Sequence, residues 1–113
     1  MDELTNDAKY YLAVAYKQYL ENVKAGLPKS KARFLGDIPD MQTALFPDWQ
    51  RQDIADLSYE LKDQGYIELA QYYTALPSEI QLTSKAVAYG EQKFAREINS
   101  VVDGILKLKK LIF

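Results

Sequence analysis

Arg51, Gln52, Ser58 and Lys62 lie close together in the middle of the chain, at spacings that can share one side of a helix. Arg and Gln near the start of a helix are the residue types that bind guanine and adenine edges in a DNA major groove. A cation such as Lys62 suits a phosphate oxygen, and Ser58 lies at the edge of the same surface. These four residues therefore form a candidate surface for contacting duplex DNA.

A second group of cations begins at Lys24 and continues into a loop-like segment. The group comprises Lys24, Lys29, Lys31 and Arg33. No Asp or Glu occurs from residue 22 to residue 36. Such a segment can contact phosphates without reading base sequence. A solvated loop produces the same short run of cations, so both interpretations stay open.

Carboxylates on the same predicted helix oppose the DNA interpretation. The helix carries four of them: Asp53, Asp56, Glu60 and Asp63. Helical geometry does not turn all four away from the candidate surface, because Asp56 and Asp63 project beside Gln52. Residues 68–79, which follow this helix, contain no Lys or Arg. A solvated or protein-binding surface is therefore the competing interpretation.

The composition argues against an enzyme. The chain of 113 residues contains no Cys and no His, which removes thiol nucleophiles, the commonest general base and the commonest zinc ligand. No glycine-rich loop cradles phosphate, and no paired carboxylates or ligand cluster is apparent. We expect no catalytic residues, no metal site and no cofactor.

Charge is unevenly distributed along the chain. Residues 1–82 carry 8 Lys and Arg against 13 Asp and Glu, whereas residues 83–113 carry 6 against 3. No apolar run approaches the roughly 20 residues needed to span a bilayer, and the first residues are acidic, unlike a signal peptide. We therefore expect a cytoplasmic protein without a membrane partner.

Residues 53–83 indicate the elements that would position the candidate surface. Apolar residues recur on one helical face, and Gly65 follows as the residue typical just past a helix end. The run after Tyr66 is rich in aromatic and β-branched residues until Pro77, and residues 80–82 alternate apolar and polar as in a half-buried strand. This order predicts an α+β fold, a winged helix-turn-helix with a two-stranded wing.

The preceding residues predict two further helices. An apolar stripe from Leu4 to Ala25 predicts the first, which Gly26 ends. Residues 41–45 are the candidate second helix, and Asp48 is the expected cap of the third. Trp49 is expected to pack the intervening loop onto the core.

Four tyrosines lie on the first predicted helix: Tyr10, Tyr11, Tyr16 and Tyr19. We expect their rings to cover the edge of the core while their hydroxyl groups reach water. A ligand-stacking role is the alternative.

The chain after Thr83 predicts one long helix, interrupted only by Gly90 and Gly104. Its apolar residues alternate at spacings of four and three, as in a coiled-coil seam. The seam consists of Phe94, Ile98, Val101, Ile105, Leu108 and Ile112. Because a small domain already has its own core, this seam predicts a homodimer, and folding of the helix back onto its own domain is the alternative. Residues 1–83 would form the winged-helix domain and residues 84–113 the dimerisation helix.

Residues 61–67 (LKDQGYI), residues 80–83 (IQLT) and the Tyr89-Gly90-Glu91 triplet carry a family resemblance. They resemble small winged-helix proteins of Gram-positive bacteria and their phages, namely the YjcQ-like group and, more distantly, the PadR and MarR families. The resemblance covers about a third of the chain. It implies transcription regulation through DNA binding.

The sequence therefore predicts a small, dimeric, DNA-binding transcriptional regulator of bacterial or phage type. The alternative is a protein–protein interaction module on a winged-helix scaffold that does not bind DNA. The expected partners are a second copy of the chain and either duplex DNA or another protein.

Overall fold

The computed structural model describes residues 4–72 and 75–94. Within these residues the chain forms five helices and a three-stranded antiparallel sheet. The elements are α1 (Asn6–Lys24), α2 (Lys29–Ala32), β1 (Phe34–Gly36), α3 (Ile38–Ala44), α4 (Arg51–Asp63), β2 (Ile67–Ala70), β3 (Ser78–Leu82) and α5 (Ser84–Lys93). The predicted α+β class is confirmed. None of the described helices combines the length and the apolar character needed to cross a membrane.

Helix α1 matches its prediction closely. Thr5 precedes it in an extended conformation, and its hydroxyl accepts a hydrogen bond from the Ala8 amide at 3.2 Å. This side-chain cap satisfies one of the amides that a helix start leaves without a partner. After the helix, Gly26 adopts a φ of +103°, which a side chain would disfavour, and the chain turns there.

The sheet has β3 at its centre, between β1 and β2. The β2–β3 hairpin was predicted, and it pairs Ile67 with Leu82. Strand β1 was not predicted; its Phe34 pairs with Gln81 on the other side of β3. It comprises only three residues with an irregular register, so it is too short to show an alternating pattern.

The start of α4 differs from its prediction. Gln50 occupies the cap position and makes no side-chain capping bond, so the assignment of Asp48 as the cap was wrong. Helix α3 begins earlier than residue 41, at Ile38. The carboxylate of Asp37, directly before α3, accepts a hydrogen bond from the Glu79 amide at 3.0 Å. This bond ties the start of α3 to strand β3, where Glu79 has a φ of +52°.

The core is built around α1, and its tyrosines are more deeply buried than predicted. Tyr11, Tyr16 and Tyr19 are all buried. The hydroxyl group of Tyr11 lies 2.8 Å from the hydroxyl of Ser58 on α4 and does not reach water. Burial raises the pKa of this Tyr11 hydroxyl, and the hydrogen bond with Ser58 opposes the rise.

Ser58 does not belong to the candidate DNA-contacting surface. Its side chain is 0% exposed, and its hydroxyl lies 2.7 Å from the Ile54 carbonyl. A hydroxyl has one proton, so Ser58 donates to Ile54 and accepts from Tyr11. A residue enclosed in this way cannot contact DNA, and its place in the sequence-based set was wrong.

Helix α5 packs directly onto α1. The hydroxyl of Thr83 accepts a hydrogen bond from the Ala86 amide at 3.3 Å and so caps the start of the helix. Gly90 lies against the ring of Tyr16, so closely that a Cβ at Gly90 would overlap ring atoms. Gly90 therefore permits close helix packing here. Phe94 is 6% exposed and makes an edge contact with Tyr89, with ring centroids 5.5 Å apart.

Most of the predicted dimer seam falls outside the described residues. These positions are Ile98, Val101, Ile105, Leu108 and Ile112. Gly104 lies outside them as well, as does the predicted extension of α5.

Replacing Gly90 with Ala should destabilise the domain. Ala favours a helix over Gly by about 0.5–1 kcal/mol, but overlap with the Tyr16 ring should cost more, for a net loss of about 1–3 kcal/mol. Urea unfolding followed by circular dichroism measures the difference. Ala88→Leu adds carbon atoms to an exposed position of the same helix and should change stability by less than about 0.5 kcal/mol. A Gly90→Ala protein as stable as wild type would contradict the close packing.

The pair of buried hydroxyls should be energetically coupled. Ser58→Ala leaves the Tyr11 donor without its acceptor and should cost about 1–3 kcal/mol. Tyr11→Phe removes that donor while Ser58 keeps its bond to Ile54, so the loss should be smaller. The double variant should lose less than the sum of the single losses, by about 0.5–1.5 kcal/mol. Additive losses in urea unfolding would show that the two hydroxyls act independently.

Candidate functional site

The outward face of α4 carries the predicted DNA-contacting side chains, but it does not gather them. Arg51 and Gln52 are exposed at its first turn, and Lys62 is exposed at its last. Eleven residues separate Arg51 from Lys62, which corresponds to about 16 Å along the helix axis. Lys62 therefore lies at the opposite end of the helix from the predicted base-reading pair.

Arg51 is held by the preceding helix. Its Nε donates to Gln42 Oε1 at 2.9 Å, and Gln42 Nε2 donates in turn to the Trp49 carbonyl at 2.8 Å. These bonds connect α3, the loop before α4 and the first turn of α4. A base-reading role for Arg51 would require the guanidinium to share or exchange this bond.

Gln52 has a partner on its own helix. Its Nε2 donates to Asp56 Oδ1 at 2.9 Å, one turn further along. A glutamine that reads adenine offers both its amide oxygen and its amide nitrogen to the base. Here the nitrogen is directed to a carboxylate, and that carboxylate would repel a nearby phosphate.

The cationic segment of residues 24–33 lies against α1 and α5. The Asn22 side chain donates to the Ala32 carbonyl at 3.1 Å and so fixes the end of α2 to α1. Lys29 and Lys31 are exposed, while Arg33 is partly buried and donates through Nη1 to the Ser84 hydroxyl at 3.2 Å. These two hydrogen bonds hold the segment in place. Its lysines remain exposed, while its arginine points to the start of α5.

The β2–β3 hairpin with its connecting loop presents apolar and aromatic side chains. In its described part, Tyr72 is 61% exposed and Leu76 is 37% exposed. Tyr73 and Thr74 lie outside the described residues. Residues 68–79 include neither Lys nor Arg, so this hairpin offers no cation to a phosphate or to a minor groove.

A groove of about 450 Å³ lies along α4. The start of α1, the loop before α4 and the outward side of α4 form its walls. Its lining residues are Asp7, Asp48, Trp49, Gln50, Asp53, Asp56, Leu57 and Glu60. Five of these eight residues are carboxylates and none is a cation, so the groove is strongly electronegative. We refer to it below as the acidic groove.

Trp49 gives the acidic groove a rigid aromatic wall. Its ring stacks on Phe46 with centroids 4.8 Å apart and an interplanar angle of 15°, and it lies 5.5 Å from the ring of Tyr10. The expectation that Trp49 packs the loop onto the core is confirmed. Its ring also lines the groove beside Leu57, and together they offer apolar surface among the carboxylates.

The acidic groove was only partly visible in the sequence. Asp53, Asp56 and Glu60 are spaced three and four residues apart, and that spacing places them on one side of α4. Asp7 and Asp48 join them only through the packing of α1 and the loop, which no local pattern indicates. Among the described residues, no group of three or more Asp or Glu side chains is arranged to hold a metal ion.

Comparisons with family models, with curated proteins and with solved structures found no match for this chain.

Neutralising one carboxylate of the acidic groove should stabilise the domain. Glu60 has a like charge at Asp56, four residues before it, and at Asp63, three residues after it. Each such pair costs about 0.2–0.5 kcal/mol, so relief of both pairs in Glu60→Gln should raise the free energy of unfolding by about 0.4–1 kcal/mol. The gain should disappear in concentrated salt because exposed charges are then screened.

Glu21→Gln on α1 is the matched control, and its expected change in stability has the opposite sign. Glu21 lies at the same spacings from two cations, Lys17 and Lys24, so its neutralisation should lower stability slightly. Urea unfolding at low and high salt measures both variants. If Glu60→Gln lowers stability at low salt, the carboxylates of the groove do not repel one another as described.

Proposed function

We propose that this chain is a winged-helix domain. Three features support the proposal: the order of elements, the α3–α4 pair joined by a short loop, and a sheet in which β3 lies between β1 and β2. In such a domain α4 would be the recognition helix and the β2–β3 hairpin the wing. The resemblance of residues 61–67 and 80–83 to small winged-helix proteins is consistent with this assignment.

We further propose that the domain is a protein-interaction module that binds a lysine- or arginine-rich segment of a partner. The observation that carries this proposal is the acidic groove along the outward face of α4, where a DNA-reading helix would need positive potential. Five carboxylates along one groove attract cations and repel phosphates. Trp49 and Leu57 add apolar contact area, and aromatic residues are enriched in protein-binding surfaces.

DNA binding is the second candidate function, and the cationic segment favours it. Exposed Lys29 and Lys31 with Arg33 could neutralise phosphates, with Arg51, Gln52 and Lys62 as the α4 contacts. In this alternative the chain would act as a dimer, joined through the seam from Phe94 to Ile112. Carboxylates beside Gln52 would weaken any such contact.

A binding experiment with the full chain separates the two functions. A synthetic peptide of alternating lysine and leucine should bind the wild-type protein and change the emission of Trp49, the only tryptophan in the chain. Asp53→Asn/Asp56→Asn should weaken this binding up to about thirtyfold, since each of the two exposed charge pairs contributes up to about 1 kcal/mol. Glu21→Gln/Glu91→Gln removes two charges outside the groove and should leave binding nearly unchanged.

A mobility-shift titration with duplex DNA at low and moderate salt is the complementary measurement. We expect no shift at low salt. A shift that weakens steeply with added salt and is lost in Lys29→Glu/Lys31→Glu would establish the DNA function instead. Failure of the peptide to bind at low salt would overturn the protein-interaction proposal.

A further inference from the structure

The chain contains a segment with the chemistry that the acidic groove would accept. Residues 106–113 read LKLKKLIF, with three lysines, five apolar residues and no acid. They lie outside the described residues. We infer that this segment of the same chain occupies the acidic groove and competes there with the partner segment. The inference rests on the proposed function, because it concerns the same groove.

Charge complementarity is the first argument. Residues 1–82 have a net charge of −5 and residues 83–113 a net charge of +3. Residues 1–82 include all five carboxylates of the groove. Residues 106–113 contain three of the six Lys and Arg residues that follow residue 82. The segment combines lysines with leucines, the side-chain types that complement the carboxylates and the apolar surface of Trp49 and Leu57 in the groove.

Chain length permits the contact. Twelve residues lead from Phe94 to Leu106, a path of about 18 Å as helix and up to about 40 Å when extended. The longest dimension of the domain is 37 Å. The segment can therefore reach the groove of its own chain without distortion of α5.

Tethering makes the segment an effective competitor. A segment linked by a short connection acts at an effective concentration in the millimolar range. A partner would therefore have to displace residues 106–113, and its apparent affinity would be reduced accordingly. The predicted dimer places the same residues in a seam with a second copy, so docking within one chain and dimerisation through residues 106–113 exclude each other.

Charge reversal in the full chain tests the inference. Lys107→Glu/Lys109→Glu/Lys110→Glu should expose Trp49 and increase its quenching by acrylamide, an uncharged quencher. Asp53→Lys/Asp56→Lys should have the same effect, and the combination of both sets should restore the protection seen in wild type. Lys29→Glu/Lys31→Glu, which reverses lysines outside the groove, is the matched control and should leave quenching unchanged.

Peptide affinity supplies an independent readout. The lysine–leucine peptide should bind a Lys107→Gln/Lys109→Gln/Lys110→Gln protein at least about tenfold more tightly than wild type, because neutral side chains remove the tethered competitor without adding carboxylates that attract the peptide. Equal affinity for both proteins, together with unchanged quenching, would overturn the inference and leave the proposed function intact. Failure of the peptide to bind either protein would overturn the proposed function, while the quenching results would still decide the inference.

Sedimentation separates docking within one chain from docking between copies. Protection of Trp49 should be independent of protein concentration, and the wild-type protein should sediment as a monomer under the conditions of the quenching experiment. Protection that rises with concentration in parallel with dimer formation would overturn the inference in favour of a second copy as the occupant.

Discussion

The buried contact of Tyr11 with α4 is the interaction on which the rest of the domain depends. The ring of Tyr11 stacks on Phe46, with centroids 5.2 Å apart, and its hydroxyl bonds Ser58 at 2.8 Å. One side chain of α1 thus fixes both the loop before α4 and α4 itself. Ser58 gives its own proton to a backbone carbonyl and accepts the proton of Tyr11, so both hydroxyl protons of this pair have an acceptor.

The acidic groove is a consequence of this packing. Once α1 is held against α4, the first turn of α1 brings Asp7 beside the carboxylates of α4. Phe46 supports the ring of Trp49 and thereby positions the loop that contributes Asp48. Like charges brought together in this way oppose folding slightly. The packing of the domain therefore holds these carboxylates together despite their mutual repulsion.

Sequence patterns predicted the elements whose signals are local. Gly65 precedes β2, Pro77 ends the connection directly before β3, and Thr83 marks the start of α5, all as predicted. Ser58 was misassigned although a signal existed, since it continues the buried face of Ile54 and Leu61 at helical spacing. Strand β1 was missed because a three-residue strand with irregular pairing depends on β3 for its conformation.

Features that depend on contacts between residues distant in sequence could not be predicted from local patterns. Gly90 was interpreted as a helix interruption, whereas its missing side chain makes room for Tyr16, 74 positions earlier in the chain. Asp7 and Asp48 join the groove for the same kind of reason. The uneven charge of the chain, in contrast, was visible from composition, and the structure gives its acidic part a location. Because that location is the outward face of α4, a cationic partner, whether from another protein or from this chain, fits the surface better than a polyanion does.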